Sequence, residues 1–297
     1  MHPCRFRNAL VLFALVAATL AAAQEAALPN AADSLKFAII GDSGTGSSSQ
    51  YAVASKLAES RGKFPYEFVL MMGDNLYSGS GPKDFEKKFE RPYKPLLDAG
   101  VKFYASLGNH DNPNERFYKG FNMNGERFYT FRPKLGVRFF ALDSNYMDKP
   151  QLDWLEKQLA ASGSDWKICF FHHPLYSSGG AHGSDVQLRT LLEPLFLKHG
   201  VDVVFAGHEH FYERIKPQKG IYYFISGGAA KLREGDVGRT DLTAKSFDTG
   251  YHFMLIELVK DTLHFQAITD QGRVVDSGAL QRFSDVDKKK FAGITSP

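Results

Sequence analysis

Cysteine is almost absent from this chain. Only Cys4 and Cys169 occur among 297 residues, and Cys4 lies in an N-terminal segment with the pattern of a signal peptide. A disulfide framework is therefore excluded in the mature chain. Cys169 lies in the apolar run Lys167–Phe171, which is typical of a buried strand, and we expect it to fill the core.

Charge of one sign is also scarce. The formal net charge is +3, and removal of Arg5 and Arg7 with the N-terminal segment lowers it by two. The nearest approach to a like-charged run, Lys288–Lys290, is expected to belong to a solvated tail. A nearly neutral body argues against a charge-driven nucleic-acid or membrane partner. We expect a monomer.

The N-terminus has the pattern of a secretory signal peptide over residues 1–23. Arg5 and Arg7 form a basic segment, Ala9–Ala22 is apolar but short for a membrane span, and Ala21–Ala23 offers a small-residue cleavage site. We therefore expect a secreted or periplasmic protein with no membrane attachment after signal removal. An uncleaved N-terminal anchor is the alternative interpretation.

The order of predicted elements indicates an α/β protein. Apolar runs alternate with amphipathic helices in the first part of the chain, and the last part is mostly β. A four-layer α/β/β/α sandwich, in which helices flank two mixed β-sheets, accommodates both parts. We expect a disordered lead-in at residues 24–34, a single domain at 35–284 and a C-terminal tail at 285–297.

The predicted elements can be placed along the chain. Strands are predicted at Leu35–Ile40, Phe68–Met72, Val101–Leu107, Arg127–Arg132, Val137–Asp143, Trp166–Phe171, Val201–Ala206, Ile221–Ser226, His252–Val259, Thr262–Thr269 and Arg273–Val275. Helices are predicted from the serines at 47–49 to Gly62, at Gln151–Ala161, at Ser184–His199, and on the surface around Phe85 and Phe89.

Five short polar motifs follow apolar runs in a fixed order. They are Gly41–Gly44, Gly73–Tyr77, Gly108–Asp111, His172–Pro174 and Gly207–His210. Metal sites in α/β folds cluster where strands end, so we expect the motifs to converge at one sheet edge. Each motif alone is a weak signal. Together they supply carboxylates, a phenol, an amide and several imidazoles, which suits two metal ions sharing a carboxylate and indicates metal-assisted phosphate-ester hydrolysis.

The motif series resembles the calcineurin-like metallophosphoesterases. Tyr77 makes the chain resemble specifically the purple acid phosphatases, above all the small tartrate-resistant type. The resemblance covers nearly the whole mature chain, and its specific matches include Gln151–Leu159 and Ala181–Gly183. It implies the four-layer metallophosphoesterase fold and a dinuclear metal centre.

The resemblance also implies a ligand set for each ion. A trivalent iron would be held by Asp42, Asp74, Tyr77 and His210. A divalent iron, zinc or manganese ion would be held by Asp74, Asn109, His172 and His208. In this scheme Asp74 bridges the two ions. Phenolate and carboxylate donors favour Fe(III), whereas imidazole and amide oxygen suit a borderline divalent ion.

The residues around the metals are assigned by the same resemblance. A metal-bound hydroxide would attack phosphorus, while His110 and His182 contact the substrate and protonate the departing alkoxide. Asp111 is expected to orient His110 as a carboxylate–imidazole pair. Two features depart from the mammalian relatives. Ala181 replaces an acidic residue before the histidine, and the short connection at 144–150 replaces a protease-sensitive loop, so we expect no activation by clipping.

These expectations give one leading function and two alternatives. The leading function is a secreted dinuclear-metal acid phosphatase that hydrolyses phosphate monoesters. A phosphodiesterase or nucleotidase would use the same dinuclear core, because loops that carry no recognisable pattern set the substrate class. A non-catalytic metal-binding or phosphate-binding protein is the remote alternative, and it would be expected to lack a ligand or an outer histidine.

Overall fold

The computed structural model describes residues 27–238, 240–291 and 293. The predicted signal peptide at residues 1–23 lies outside them. The strands in chain order are β1 (Leu35–Ile40), β2 (Phe68–Met71), β3 (Lys102–Ala105), β4 (Tyr129–Lys134), β5 (Val137–Ala141), β6 (Trp166–Phe170), β7 (Val203–Ala206), β8 (Tyr212–Gln218), β9 (Ile221–Ser226), β10 (Thr243–Phe247), β11 (His252–Val259), β12 (Thr262–Thr269) and β13 (Val274–Gln281).

Helices connect or flank these strands. They are α1 (Ser48–Arg61), α2 (Pro82–Phe85), α3 (Lys94–Asp98), α4 (Lys149–Ala160), α5 (Val186–His199) and α6 (Asp285–Phe291), with 3₁₀ turns at Pro113–Phe117 and Lys119–Phe121. The side chains of Ser47, Asp148 and Asp185 cap α1, α4 and α5 by accepting a backbone N–H. Within the described residues, none of these helices has the length and apolarity that a bilayer crossing requires.

The strands form two mixed sheets. The first sheet has the order β13-β12-β11-β1-β2-β3, and the second has the order β10-β8-β9-β7-β6-β5-β4. One apolar core lies between the sheets, a second lies between the first sheet and α1, and a third lies between the second sheet and α4 and α5. The predicted four-layer α/β/β/α arrangement is confirmed.

Strand β1 shows how the sequence creates these layers. Phe37 and Ile39 enter the core between the sheets, where the ring of Phe37 lies 5.2 Å from that of Phe139. Ala38 and Ile40 point the opposite way and pack with α1. Burial of a side chain the size of Phe37 contributes roughly 1.5–3 kcal/mol. A strand that is apolar on both faces must therefore lie between two layers.

The direction of the central strands brings the motifs together. Strands β1, β2 and β3 are parallel in the first sheet. Strands β5, β6, β7 and β9 are parallel in the second sheet. The carboxyl ends of parallel strands share one edge, and the motifs directly follow β1, β2, β3, β6 and β7.

Three strands differ from the prediction. β8 and β10 are absent from the predicted elements, and β13 is longer than the predicted Arg273–Val275. β10 forms one edge of the second sheet and is partly exposed along its length. An edge strand buries too little apolar surface to leave an alternating pattern in the sequence.

The predicted surface helix around Phe85 and Phe89 is present, and its apolar face is buried. Helix α2 continues into a π-helical turn at Glu86–Glu90, and the side chain of Phe89 is 1% exposed. Its ring packs edge-on against Phe103 and Phe121, with centroid distances of 5.1 and 5.0 Å. Phe89 therefore anchors this segment to the core, although its neighbours in the sequence are charged.

The expectation of a disordered lead-in does not hold for residues 30–34. The backbone amides of Asn30 and Ala31 each donate to the carboxylate of Glu257 at 2.7 Å. The hydroxyl of Ser34 donates to the same carboxylate at 2.6 Å. These bonds attach the segment to β11, because a buried carboxylate needs donors. The ammonium group of Lys36 in β1 also lies 3.8 Å from the same carboxylate.

The expected solvated tail after residue 284 is wrong for Lys288, whereas Lys289 and Lys290 are exposed as expected. Residues 292 and 294–297 lie outside the described residues. Residues 285–291 form α6, and the side chain of Lys288 is 7% exposed. Its ammonium group donates to the carbonyl oxygen of Gly200 at 3.0 Å and pairs with the carboxylate of Asp202. The aliphatic stem of Lys288 is buried, and its charge is paired with a carboxylate. A run of lysines in the sequence does not indicate this burial.

Candidate metal centre

Three of the predicted ligands lie in strained turns directly after strands. Asp42, Asp74 and His208 have φ angles of 56°, 52° and 69°. Residues other than glycine seldom adopt this left-handed conformation, and it persists where surrounding contacts enforce it, often at functional sites. The amide of Asp42 donates to the carbonyl of Gly73 at 3.1 Å, and that of Gly44 donates to Asp74 at 3.2 Å. The two turns therefore brace each other.

The predicted ligands of the divalent ion converge. The Nε2 atom of His172 lies 2.9 Å from Oδ1 of Asn109 and 3.1 Å from Nδ1 of His208. The Nδ1 atom of His208 lies 3.1 Å from the same oxygen of Asn109. Donor atoms bound to one ion at about 2.1 Å lie about 3 Å apart. The spacing of these three side chains is that of ligands to a shared ion.

The predicted ligands of the trivalent ion converge beside them. The phenol oxygen of Tyr77 lies 3.2 Å from Oδ1 of Asp42 and 3.5 Å from Nε2 of His210. The same nitrogen of His210 lies 3.4 Å from Oδ1 of Asp42. Asp42 and Tyr77 are buried and His210 is half-buried. This second group is richer in oxygen donors than the first.

Asp74 lies between the two groups. Its Oδ1 atom is 3.5 Å from Nε2 of His172. A carboxylate oxygen of Asp74 also lies within 4.8 Å of ligand atoms in Asp42 and His210. The backbone amide of His110 donates to Oδ1 at 3.0 Å and helps to hold it. Asp74 therefore occupies the position that a bridging ligand requires.

The two buried aspartates of this site have no lysine or arginine partner in the described part of the chain. Among the described residues, Asp42 and Asp74 form ion pairs only with histidines. Burial, together with the charge of Asp74, raises the pKa of Asp42 well above its ordinary value. Burial and the two carboxylates also raise the pKa of the Tyr77 phenol. Such acids are stable in the interior when a cation compensates them, and two metal ions fit this requirement.

The ligand imidazoles are neutral at mildly acidic pH. Burial lowers the pKa of His172 well below its ordinary value, and the neighbouring His173 adds to the shift. Burial likewise lowers the pKa of His208 to about 2 and that of His210 to about 4. Metal ions bind only the neutral ring, so these side chains need not lose a proton first.

Neighbouring backbone groups orient the ligands. The Nδ1–H of His172 donates to the carbonyl oxygen of Met72 at 2.8 Å, which leaves Nε2 free to bind an ion. The amide of His208 donates to Oδ2 of Asp42 at 2.9 Å, which turns Oδ1 toward the site. A Cβ atom at Gly73 would lie 2.6 Å from Nδ1 of His172, so glycine is required there.

Asp111 does not pair with His110 as predicted. Its Oδ1 accepts the backbone amide of Leu76 at 2.9 Å. Its Oδ2 accepts the amide of Gly108 and the side-chain amide of Asn75, both at 2.8 Å. The carboxylate therefore joins the turn after β2 to the turn after β3. Its predicted role is corrected, because backbone donors rather than an imidazole occupy both oxygens.

Two exposed imidazoles, which the family resemblance assigned to substrate contact, border the centre. The ring centroid of His110 lies 4.9 Å from that of Tyr77, next to the oxygen-rich group. The ring centroid of His182 lies 4.2 Å from that of His208, next to the other group. Each exposed ring therefore stands beside one of the two ligand groups, where it is accessible to a substrate.

Sequence reasoning missed two cationic residues at this site. The ammonium group of Lys231 lies 4.6 Å from the centroid of the Tyr77 ring. A guanidinium nitrogen of Arg233, Nη2, lies 3.3 Å from Nε2 of His182. Both belong to a segment after β9 that carries no motif. No pattern in the sequence signals that this segment folds back over the centre.

His173, which neither predicted ligand set includes, also lies beside the centre. One of its ring nitrogens is within 4.8 Å of ligand atoms in His172 and His208. Its Nδ1 atom lies 2.8 Å from the hydroxyl of Ser144, which also accepts the backbone amide of His173. His173 and Ser144 line a cleft of about 400 Å³ that also reaches Asn109. The cleft offers space for the organic part of a substrate.

Comparisons of the sequence identify its relatives. Residues 35–212 match the profile of the family described as calcineurin-like phosphoesterase. Purple acid phosphatase 7 of Arabidopsis thaliana is 27% identical, over 84% of this chain and 87% of the relative. Tartrate-resistant acid phosphatase type 5 of Rattus norvegicus is 26% identical, over 66% of this chain and 72% of the relative.

The fold is similar to that of three solved structures. The anchor in the inner membrane complex of Plasmodium is 19% identical with a TM-score of 0.74, over 89% of this chain and 95% of its own. A purple acid phosphatase from yellow lupin seeds is 20% identical with a TM-score of 0.70, over 88% and 56%. A dimetal phosphatase from Danio rerio is 12% identical with a TM-score of 0.65, over 84% and 99%.

The family profile covers more than half of the chain, and its relatives are named acid phosphatases. One structural neighbour is named an anchor, so the fold alone does not determine activity. The predicted ligands of two ions nevertheless converge at the ends of parallel strands. The chain therefore belongs to the calcineurin-like phosphoesterase family, as a hydrolase of the purple acid phosphatase type with a dinuclear metal site.

Proposed function

We propose that this chain is a secreted acid phosphatase that hydrolyses phosphate monoesters. The observation that carries the proposal is the rim of the metal centre. Lys231 supplies positive charge there. The guanidinium of Arg233, whose charge is paired with two carboxylates, contacts His182, and both His110 and His182 are exposed beside the ligand groups. A monoester dianion carries more negative charge than a diester, so a cationic, donor-rich rim favours the monoester.

The donor set supports a centre with one trivalent and one divalent ion. We assign a trivalent iron to Asp42, Asp74, Tyr77 and His210. We assign a divalent iron, zinc or manganese ion to Asp74, Asn109, His172 and His208. The phenol of Tyr77 is the donor that distinguishes the two positions, because phenolate favours the harder trivalent ion. When bound, the two ions would polarise the phosphate oxygens and lower the pKa of a water nucleophile.

The side chains at the rim would bind and orient the substrate. His110 and His182 stand beside different ligand groups, so a phosphate between those groups would be within reach of both rings. The guanidinium of Arg233 can only donate, so Nε2 of His182 accepts and the ring proton lies on Nδ1. That Nδ1–H is the donor available to a phosphate or leaving-group oxygen, where it would stabilise developing negative charge.

Comparison of a matched monoester and diester tests the proposal. The metal-loaded protein is assayed with para-nitrophenyl phosphate and bis(para-nitrophenyl) phosphate from acidic to neutral pH. We expect kcat/KM for the monoester to be higher by about tenfold or more. A higher value for the diester would favour a phosphodiesterase. Hydrolysis of neither ester would favour a non-catalytic metal-binding protein.

Secretion is proposed on the basis of the N-terminal pattern in residues 1–23. The test is N-terminal sequencing of the protein recovered from the medium or periplasm of the expressing cells. We expect the mature chain to begin at Gln24. A chain that retains Met1 and fractionates with membranes would indicate an uncleaved anchor instead.

A further inference from the structure

Glu209 is a buried acid that the metal centre does not use. It lies between two predicted ligands, His208 and His210, yet its carboxylate contacts a different loop. Its side chain is 0% exposed. The Oε1 atom accepts the backbone amide of Gly183 at 2.6 Å and the hydroxyl of Ser177 at 3.3 Å. The turn that carries two ligands therefore also holds the loop that carries His182.

The contact between Glu209 and this loop is close. A Cβ atom at Gly179 would lie 2.4 Å from Oε1 of Glu209, so the loop backbone packs directly against the carboxylate. On its other side, the amide of Gly180 donates to the carbonyl oxygen of Asp236 at 2.9 Å. The loop is therefore fixed from two sides, although His182 at its tip is exposed.

Arg233 connects the buried acid to the exposed ring. Its Nη1 atom lies 3.7 Å from Oε2 of Glu209 and 3.4 Å from Oδ2 of Asp236. Its Nη2 atom lies 3.3 Å from Nε2 of His182, and its backbone amide donates to the carbonyl oxygen of His210 at 3.1 Å. Within the described residues Oε2 of Glu209 has no hydrogen-bond partner, so the nearby guanidinium charge compensates it.

We propose that Glu209 and Arg233 are positioning residues that present Nδ1–H of His182 to the leaving-group oxygen. The inference rests on the proposed phosphatase function. Glu209 fixes the backbone next to His182, and Arg233 fixes the ring tautomer by donating to Nε2. Because the same turn also supplies His208 and His210, the distance from the metals to this donor is set within one short segment.

A double-mutant cycle tests the inference. Glu209→Ala is made in the wild-type and His182→Ala backgrounds, and kcat is measured with an alkyl ester, glycerol phosphate, and with para-nitrophenyl phosphate. A hydrogen bond to the leaving oxygen matters most for the poorer alkyl leaving group. We expect Glu209→Ala to lower kcat for the alkyl ester about tenfold in the wild type and less than about twofold in the His182→Ala background.

Two conservative variants keep the test independent of folding. Glu209→Gln retains an acceptor oxygen for Gly183 and Ser177 but lacks the charge, and we expect it to lose less activity than the alanine variant. Arg233→Gln removes the donor to His182 without emptying a buried position. We expect its effect on the alkyl ester to vanish in the His182→Ala background as well.

Glu257→Ala is the matched control. Glu257 is also a fully buried acid that accepts two backbone amides and a hydroxyl, but it holds the N-terminal segment. Its effect is expected to be the same in both backgrounds. Metal content is measured for every variant, and loss of a metal ion from the Glu209 variants would overturn the inference.

The wild-type rates separate this inference from the proposed function. An active enzyme in which the Glu209 and His182 effects multiply independently would overturn the positioning role alone. A wild-type protein that hydrolyses neither ester would overturn the proposed function and the inference with it.

Discussion

The Nε2 atom of His172 lies 2.9 Å from Oδ1 of Asn109, although 63 residues separate them. Asn109 follows β3 of the first sheet, and His172 follows β6 of the second. The other ligand group likewise combines Asp42 and Tyr77 from the first sheet with His210 from the second. The candidate centre therefore spans the junction between the two sheets.

Metal removal is expected to lower the stability of the whole domain. An ion that binds the folded state at a hundredfold excess over its Kd contributes about 2.7 kcal/mol to the free energy of unfolding. Since both groups join the two sheets, chelation should lower Tm measured by calorimetry, and metal readdition should restore it. An unchanged Tm after complete removal of both ions would contradict this position of the site.

Gly73→Ala is expected to displace a ligand, whereas Gly100→Ala is not. Both residues have positive φ angles, 86° and 75°, so alanine strains the backbone at either position. A Cβ at Gly73 would lie 2.6 Å from Nδ1 of His172, while a Cβ at Gly100 would meet nothing within 4 Å.

The two variants are compared by metal analysis and denaturant unfolding. Each should lose about 1 kcal/mol or more of stability from backbone strain. Loss of the divalent ion should occur only in the Gly73 variant. Equal metal contents in both variants would show that the bond from His172 to Met72 does not determine binding.

Tyr77→Phe is expected to abolish the visible colour of the iron-loaded protein. The phenol oxygen lies 3.2 Å from Asp42 and 3.5 Å from His210, within one ligand group. A tyrosinate bound to Fe(III) absorbs visible light, and phenylalanine has no oxygen to bind. Tyr93→Phe changes another buried tyrosine outside both ligand groups and should leave the spectrum intact. A colourless wild-type enzyme that is active without iron would refute the iron assignment.

His252 is expected to make the fold sensitive to acid. Burial lowers its pKa from 6.5 to about 4, and among the described residues its Nε2 atom has no hydrogen-bond partner. The unfolded chain therefore takes up a proton at a higher pH than the folded chain. The free energy of unfolding falls as pH drops through this window, by about 3 kcal/mol in total for this group.

His252→Phe tests this contribution, since a phenyl ring can replace the imidazole against the rings of Tyr212 and Phe247. Unfolding by urea is measured at several pH values between neutrality and pH 4. The variant should lose less stability than the wild type over this range. Parallel stability curves for the two proteins would exclude His252 as a source of acid sensitivity.

The positions of the metal ligands were predictable from the sequence because of the strands before them. Runs such as Leu35–Ile40 are apolar on both faces, so they must be central strands, and the polar residue after each must lie at the sheet edge. Tyr77 required the family resemblance as well, since a tyrosine three residues after Asp74 carries no pattern of its own.

The roles of Asp111, Arg233 and Glu209 could not be predicted in this way. Two of the donors to Asp111 are backbone amides, which occur throughout the chain and leave no trace in the sequence. Arg233 contacts His182 across 51 residues, through a loop without periodicity. Such contacts depend on how loops pack in three dimensions, and only the structure reveals them.

Titration of the metal-free protein with metal, followed by phosphatase activity, tests the central claim most directly. We predict that hydrolysis of a phosphate monoester reaches its maximum only when two ions are bound per chain, and that the Asp74→Ala variant binds neither ion tightly. Full activity with one ion or with none would contradict a dinuclear centre built across the two sheets.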